Sequence, residues 1–410
     1  MKKSLVLMAM AGVALAGCVN DVADVAQKEQ EKVKIAFESP VMYNNNSESR
    51  AKVFGEIGTY KYGTSTYSYP RTEDFQIYAI QHTGDFEGWD ADNVGKKEGE
   101  TDVNGGPVGF NDTKISWDEQ LDGWVPFKLG GGFYYWPDAT TTKMSFAACS
   151  PAVLDVSGAT RTYGATGLTI NDFQIAADAS KQYDLLFSKR SLNMVSTQMN
   201  HVAGKYSGIP IQFQHALSSI SFSVFNKSSE ELILTKVTVY GTEYKGAFNE
   251  NINNEQNGYI TEGTDKNVNP KWTNSTERVA QNNAYVAFQG AVIFPTGNAQ
   301  YVADIAAEDT DAAGENEICN MLLLLPQTLT NDIKIHVEYT VNGHPASKTV
   351  SVLGAKNTVD ESVTVNSWEV GTRYTYRLYY SAASADKDRN YFAPSTDEWN
   401  DAGAYIIELL

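Results

Sequence analysis

The amino-acid sequence predicts an all-β protein of two β-sandwich units in tandem. Short segments rich in β-branched and aromatic residues recur along the chain, and clusters of Gly, Asn, Asp and Pro separate them. Helical periodicity is scarce, and many short strands with little helix favour sandwiches over a barrel or an α/β sheet. The 410 residues accommodate two units, each large enough to bury its own core.

Before the strands comes an export signal. Lys2-Lys3 is followed by an apolar run from Leu5 to Leu15 and then by Ala16-Gly17-Cys18, a basic start, a short hydrophobic stretch and small residues ending on cysteine. That is the layout of a bacterial lipoprotein signal, expected to occupy residues 1–17 and to leave Cys18 as the lipidated residue. At 1.5 Å per helical residue the run is too short to span a bilayer. Acyl chains on Cys18 contribute about 0.8 kcal/mol per buried CH₂, enough for stable attachment to the outer membrane. Residues 19–31 are polar and read as a tether. No second long apolar segment follows, so the remainder is expected outside the cytoplasm.

Residues 32–38 alternate, with Val33, Ile35 and Phe37 on one face and Lys32, Lys34 and Glu38 on the other, the period of a half-buried strand. An Asn/Ser-rich loop runs from Tyr43 to Arg50, and apolar residues resume at Val53-Phe54. Further strands are predicted at 75–80, 133–136, 143–148, 183–187, 209–225, 233–240, 284–294, 321–325, 332–339, 348–352 and 374–380. Asn342-Gly343 between two alternating runs marks a hairpin. The polar stretches 84–111 and 249–275 read as long loops. A boundary near residue 205 divides the chain into units of 51–205 and 206–410. At the far end, Tyr405, Ile407 and Leu409 alternate like the first strand.

The net charge is −18, and residues 1–50 carry six basic and six acidic side chains, so the rest of the chain holds the whole imbalance. An acidic surface repels phosphates, which argues against nucleic acid as a partner. Cys149 and Cys319 lie in apolar contexts and are expected as buried free thiols. His215 sits in an alternating apolar strand and reads as a structural residue. His82, His201, His336 and His344 show no zinc spacing. Leu129-Gly130-Gly131-Gly132 lacks the Lys-Ser/Thr ending of a phosphate loop. The stretches 90–95 and 386–390 echo calcium loops without completing them. No nucleophile motif is present, so the expectation is a non-enzyme with no metal and no cofactor. The 23 Tyr and 7 Trp, including Tyr60, Tyr62, Tyr67, Tyr69 and Trp89, supply the alternative of a surface glycan-binding lipoprotein.

Several short motifs occur in a characteristic order. They are the stretch ending in Cys18; Phe133-Tyr134-Tyr135-Trp136-Pro137 leading into Met144-Ser145-Phe146-Ala147-Ala148; Tyr183-Asp184-Leu185-Leu186; Gln212-Phe213-Gln214-His215-Ala216-Leu217-Ser218; Leu324-Leu325-Pro326-Gln327-Thr328; and Trp368-Glu369-Val370-Gly371-Thr372-Arg373-Tyr374. In these the chain resembles the Bacteroidetes fimbrillins, lipoprotein pilins of type V pili. The resemblance implies two transthyretin-like β-sandwich domains and a lipidated precursor that reaches the surface. It further implies removal of the N-terminal segment by an arginine-specific protease, and filling of the uncovered groove by a strand of another pilin subunit.

Arg50 matches the expected cleavage position, making Ala51 the first residue of the processed form and 18–50 a propeptide. Its loop of small polar residues suits proteolysis on independent grounds. Val33, Ile35 and Phe37 are then the removable strand, and Tyr405, Ile407 and Leu409 the donor strand, through β-augmentation. The competing expectation is that residues 399–410 form an edge strand of their own domain. On the donor reading, truncation at residue 402 is expected to leave monomer stability nearly unchanged. Adhesion follows as the output, through a receptor the sequence does not name.

Overall fold

A computed structural model describes residues 35–37, 40–42, 71, 73–84, 110–119, 123–126, 134–136, 142–154, 158–195, 201–202, 205–206, 208–226, 228–251, 270–294, 302–304, 322–357, 364–380 and 400–408. In chain order the strands begin with β1 (Val41–Met42), β2 (Phe75–Thr83), β3 (Thr113–Asp118), β4 (Gly123–Pro126) and β5 (Thr142–Ser150). The hairpin of β6 (Thr160–Gly164) and β7 (Gly167–Gln174) precedes β8 (Leu186–Ser188), β9 (Ser191–Met194), β10 (His201–Val202) and β11 (Lys205–Tyr206). Next come β12 (Gln212–His215), β13 (Ser218–Asn226), β14 (Leu232–Tyr240), β15 (Lys245–Asn249) and β16 (Lys271–Asn274). Then follow β17 (Tyr285–Phe294), β18 (Val302–Asp304), β19 (Leu322–Leu324), β20 (Gln327–Thr328), β21 (Lys334–Val341) and β22 (His344–Ser351). The last are β23 (Lys356–Asn357), β24 (Ser367–Trp368), β25 (Thr372–Tyr380) and β26 (Asn400–Glu408). Helix among the described residues amounts to short 3₁₀ turns such as Ala179–Lys181 and Gln281–Asn283. The protein is all-β, as its sequence predicts.

Four larger sheets carry the fold. The first has the order β1-β12-β8-β5-β2-β3-β4, with β9 also on β5. The second is β16-β15-β7-β6, the third β18-β13-β25-β26-β23 with β19 on β13, and the fourth β17-β14-β21-β22. Sheet partners cross residue 205: β12 joins β8 in the first sheet, and β7 pairs with β15 in the second. The two stretches 51–205 and 206–410 therefore share sheets in space.

The first sheet is buried on both faces, and its alternation shows in which core each residue enters. Ile77, Ala79, Met144, Phe146 and Ala148 belong to one apolar cluster with Phe75, Trp124, Ile209 and Phe213. Their neighbours Tyr78, Ile80, Ala147 and Cys149 point into a second cluster, shared with Ile170, Phe173, Phe248, Leu234 and Tyr376. Period 2 thus persists although almost every residue of β2 and β5 is buried.

The predicted run 209–225 divides into β12 and β13. At the break the Ala216 N–H donates to Leu185 O, the Trp272 indole N–H donates to Ala216 O, and the Gly371 N–H donates to Leu217 O. These bonds move the chain from the first sheet to the third. The predicted hairpin at Asn342-Gly343 joins β21 and β22, with positive φ at both residues (49° and 80°), as a two-residue turn between twisted strands needs.

Candidate functional site

Residues 35–37 and 40–42 occupy a slot at the seam of the first sheet. The strand order leaves β12 beside β1 at one end and β4 at the other, and the segment pairs with both. On one side it runs parallel to the stretch entering β12, with Phe37 opposite Ile209, Val41 opposite Gln212 and Met42 opposite Phe213. On the other, Phe37 bridges antiparallel to Trp124 of β4. The backbone bonds follow: Phe37 N–H to Trp124 O at 2.9 Å, Ile209 N–H to Ala36 O at 2.9 Å, and Ile35 N–H to Tyr134 O at 2.8 Å. The segment closes two edges that otherwise stand open.

Its side chains fill the core between those edges. Ile35 is 1% and Phe37 2% exposed. The Phe37 ring meets Phe75, Phe110 and Phe146 nearly perpendicular, with centroids 6.2, 6.5 and 5.8 Å away. Such edge-to-face contacts add about 0.5–1.5 kcal/mol each beyond area burial. Trp136 lies edge-on to the same Phe146 at 6.0 Å. Val33 lies outside the described residues, as do Cys18, Arg50 and Ala51.

At the other terminus, β26 is paired at home in this single chain. It runs parallel to β25, with Tyr405 opposite Tyr376 and Ile407 opposite Leu378, and antiparallel to β23 at Lys356 and Asn357. Leu409 lies outside the described residues. Removing β26 opens the edge of β25, which replaces the expectation that truncation leaves the monomer's stability unchanged.

Two buried carboxylates, Asp184 and Glu250, each face a buried basic side chain. His215 and Asp184 meet through Nδ1 and Oδ2, with side chains 2% and 0% exposed. Burial raises the Asp184 carboxyl above its ordinary value, against the opposing pull of His215. Both groups lie inside the core, away from any solute, which fits the structural role expected for His215. Arg190 lies 3.8 Å from Glu250 with both side chains 1% exposed, and Glu250 Oε2 accepts the Leu168 N–H at 2.9 Å. Burial raises the Glu250 carboxyl as well, opposed by Arg190. This pair is not legible in the sequence, because the two residues stand apart along the chain and nothing local distinguishes either from a surface charge. Cys149 is a buried free thiol whose pKa burial pushes up to about 11; Cys319 is outside the described residues.

Elsewhere, His82 contacts the Gly84 carbonyl and the Ser145 hydroxyl, and His336 the Thr349 hydroxyl. Among the described residues no cluster of His, Cys, Asp or Glu could hold a metal ion. The calcium-like stretches 90–95 and 386–390, the glycine run 130–132, and Tyr60, Tyr62, Tyr67, Tyr69 and Trp89 lie outside them. No helix of the described chain is long and apolar enough to cross a membrane.

The model of a family described as fimbrillin-like matches residues 71–390. The chain belongs to the fimbrillin-like family. The matched span includes β4, Ile209 and β12, the walls of the slot, and begins after the segment that fills it. Solved structures similar to this fimbrillin-like chain include a fimbrial protein from Bacteroides vulgatus, at 14% identity and TM-score 0.42, covering 74% of this chain and 87% of that one. A candidate cell adhesion protein from Bacteroides uniformis matches at 13% identity and TM-score 0.40, covering 86% and 94%. Another from Bacteroides ovatus matches at 13% and 0.35, covering 85% and 92%. No curated protein matches the chain.

Proposed function

We propose that this fimbrillin-like chain is a structural subunit of a cell-surface pilus that polymerises by strand exchange and serves adhesion. It is exported as a lipoprotein held in the outer membrane through Cys18 and cut after Arg50 by an arginine-specific surface protease. The cut frees the segment that contains Ile35 and Phe37, and a strand carrying Tyr405, Ile407 and Leu409 from another subunit takes its place. The tandem units are read as transthyretin-like sandwiches.

The observation that carries this reading is the position of residues 35–42. A short segment N-terminal to Arg50 supplies core side chains and hydrogen bonds to two facing strand edges. Its departure leaves an apolar groove with unpaired backbone on both sides, the substrate of β-augmentation. N-terminal sequencing of surface-extracted polymer tests it: mature protein is expected to start at Ala51, and Arg50→Ala to leave a longer, membrane-bound, unpolymerised form. Polymers of that variant starting at Ala51 would overturn the assigned cleavage site.

A further inference from the structure

The two terminal segments match best when one of them is reversed. Read forward, Val33, Ile35 and Phe37 end on an aromatic residue, whereas Tyr405, Ile407 and Leu409 begin on one. Reversal aligns aromatic with aromatic, isoleucine with isoleucine and aliphatic with aliphatic. The slot discriminates between these alignments, because the Phe37 site is ringed by Phe75, Phe110 and Phe146, all edge-on. Three perpendicular phenyl rings favour an aromatic occupant over leucine.

We propose that the strand replacing residues 35–37 comes from a second copy and enters with reversed chain direction, placing Tyr405 in the Phe37 pocket and Ile407 at the Ile35 position. This deepens the strand-exchange reading and rests on it.

Backbone pairing agrees with the reversal. Among the described residues of the uncut chain, the parallel side of the slot sets residues 37, 41 and 42 opposite 209, 212 and 213, and the other side bridges Phe37 to Trp124 and takes the Ile35 N–H on Tyr134 O. A reversed strand makes the ladder beside β12 antiparallel, the slightly more stable arrangement per residue. At home, among the described residues, β26 runs parallel to β25 from residue 400 to 408 and antiparallel to β23 at residues 405 and 406. Moving into the slot in reverse therefore exchanges the parallel pairing on β25 for an antiparallel one beside β12. A buried tyrosine also needs a partner for its hydroxyl. Trp136, 4% exposed and edge-on to the same Phe146 ring that Phe37 touches, carries an indole N–H with no acceptor among the described residues.

Cross-linking in polymer reads the direction. Four residue steps from Phe37 to Val41 face three from Ile209 to Gln212; with Tyr405 at the Phe37 site and that extra step kept, reversed entry brings residue 401 to the place of Val41, opposite Gln212, whereas entry in the same direction brings residue 409 there. Chains carrying Gln212→Cys are mixed with chains carrying Asp401→Cys or Leu409→Cys, cut with an arginine-specific protease, allowed to polymerise and oxidised. Mass spectrometry is expected to find the 212–401 link at least ten times more abundant than 212–409. A dominant 212–409 link, or polymer with neither link, overturns the reversed direction while leaving strand exchange standing. Absence of polymer from the cut parent chain overturns strand exchange itself and this inference with it. As a second readout, Tyr405→Phe should polymerise at a similar rate and Tyr405→Ala at least tenfold more slowly. A harmless Tyr405→Ala beside a disabling Leu409→Ala would place leucine in the pocket and refute the alignment.

Discussion

Replacing Phe37 by alanine in the uncut precursor should cost much of the stability that the slot segment contributes. The ring is 2% exposed and touches three other phenyl rings edge-on, so its loss combines the transfer free energy of the phenyl group with a cavity at the centre of an aromatic cluster. Buried Phe→Ala changes cost about 3–5 kcal/mol, and the three lost ring contacts put this site toward the upper end. Whole-domain stabilities are about 5–15 kcal/mol, so the effect is large. With a urea m-value of about 2–3 kcal/mol/M, the unfolding midpoint should fall by roughly 1–2 M. The assay is equilibrium urea unfolding of the uncut parent and variant, beside the proposed processed form that begins at Ala51. The processed form lacks residue 37, so parent and variant must become identical after cutting and removal of the released segment. A midpoint shift below about 0.3 M in the uncut protein would show that Phe37 does not hold the slot closed, and the groove argument would fail with it.

Three other outcomes follow from the same structure and sequence. Cys18→Ala should abolish membrane attachment of the precursor, since it removes the proposed lipid attachment residue; labelling of that variant by radioactive palmitate would refute the lipid site. Deleting residues 402–410 should stop polymerisation and also lower the monomer's thermal midpoint, because ladder bonds to β25 and β23 are lost at roughly 0.5–1.5 kcal/mol each; normal polymer from the truncated chain would remove the donor role. The third concerns pH. Asp184 and Glu250 are raised from ordinary values of 3.8 and 4.5 by burial, so at these positions the folded state binds protons more tightly than the unfolded one. Their contribution is full below those ordinary values and is lost as pH rises through the raised ones. The Asp184→Asn/Glu250→Gln double variant should therefore gain stability relative to the parent as pH rises from 4 to 7, measured by urea unfolding at each pH. Parallel curves would show that neither carboxyl is shifted.

Strand identity was legible wherever one segment presents regular β chemistry. The runs that became β2, β5, β14, β17, β21 and β25 were marked by β-branched and aromatic residues with turn residues between them. The short β3 and β4 and the hairpin β6–β7 escaped notice because Lys114, Arg161, Asn171 and their neighbours interrupt the apolar pattern, and their burial comes from partners far along the chain. The candidate site was half legible. Period 2 in residues 33–37 identified an apolar face, but Trp124 and Ile209, the edges that receive it, carry no local mark of that role.

By itself the sequence determined the all-β class and the two alternating terminal segments, and it carries the signal pattern ending at Cys18 and the polar loop at Arg50 on which the proposed export and cleavage rest. Each of these is written in contiguous residues, through period, charge or turn chemistry. Only the tertiary structure decided that β12 crosses into the first sheet and that Phe37 lies between Ile209 and Trp124 of β4. It also decided that Arg190 meets Glu250, and that β26 stays on β25 in the single chain. Strand partnership depends on which edges remain unpaired once the rest of the chain has packed. That is a property of the assembled sheets, which no single stretch of residues encodes.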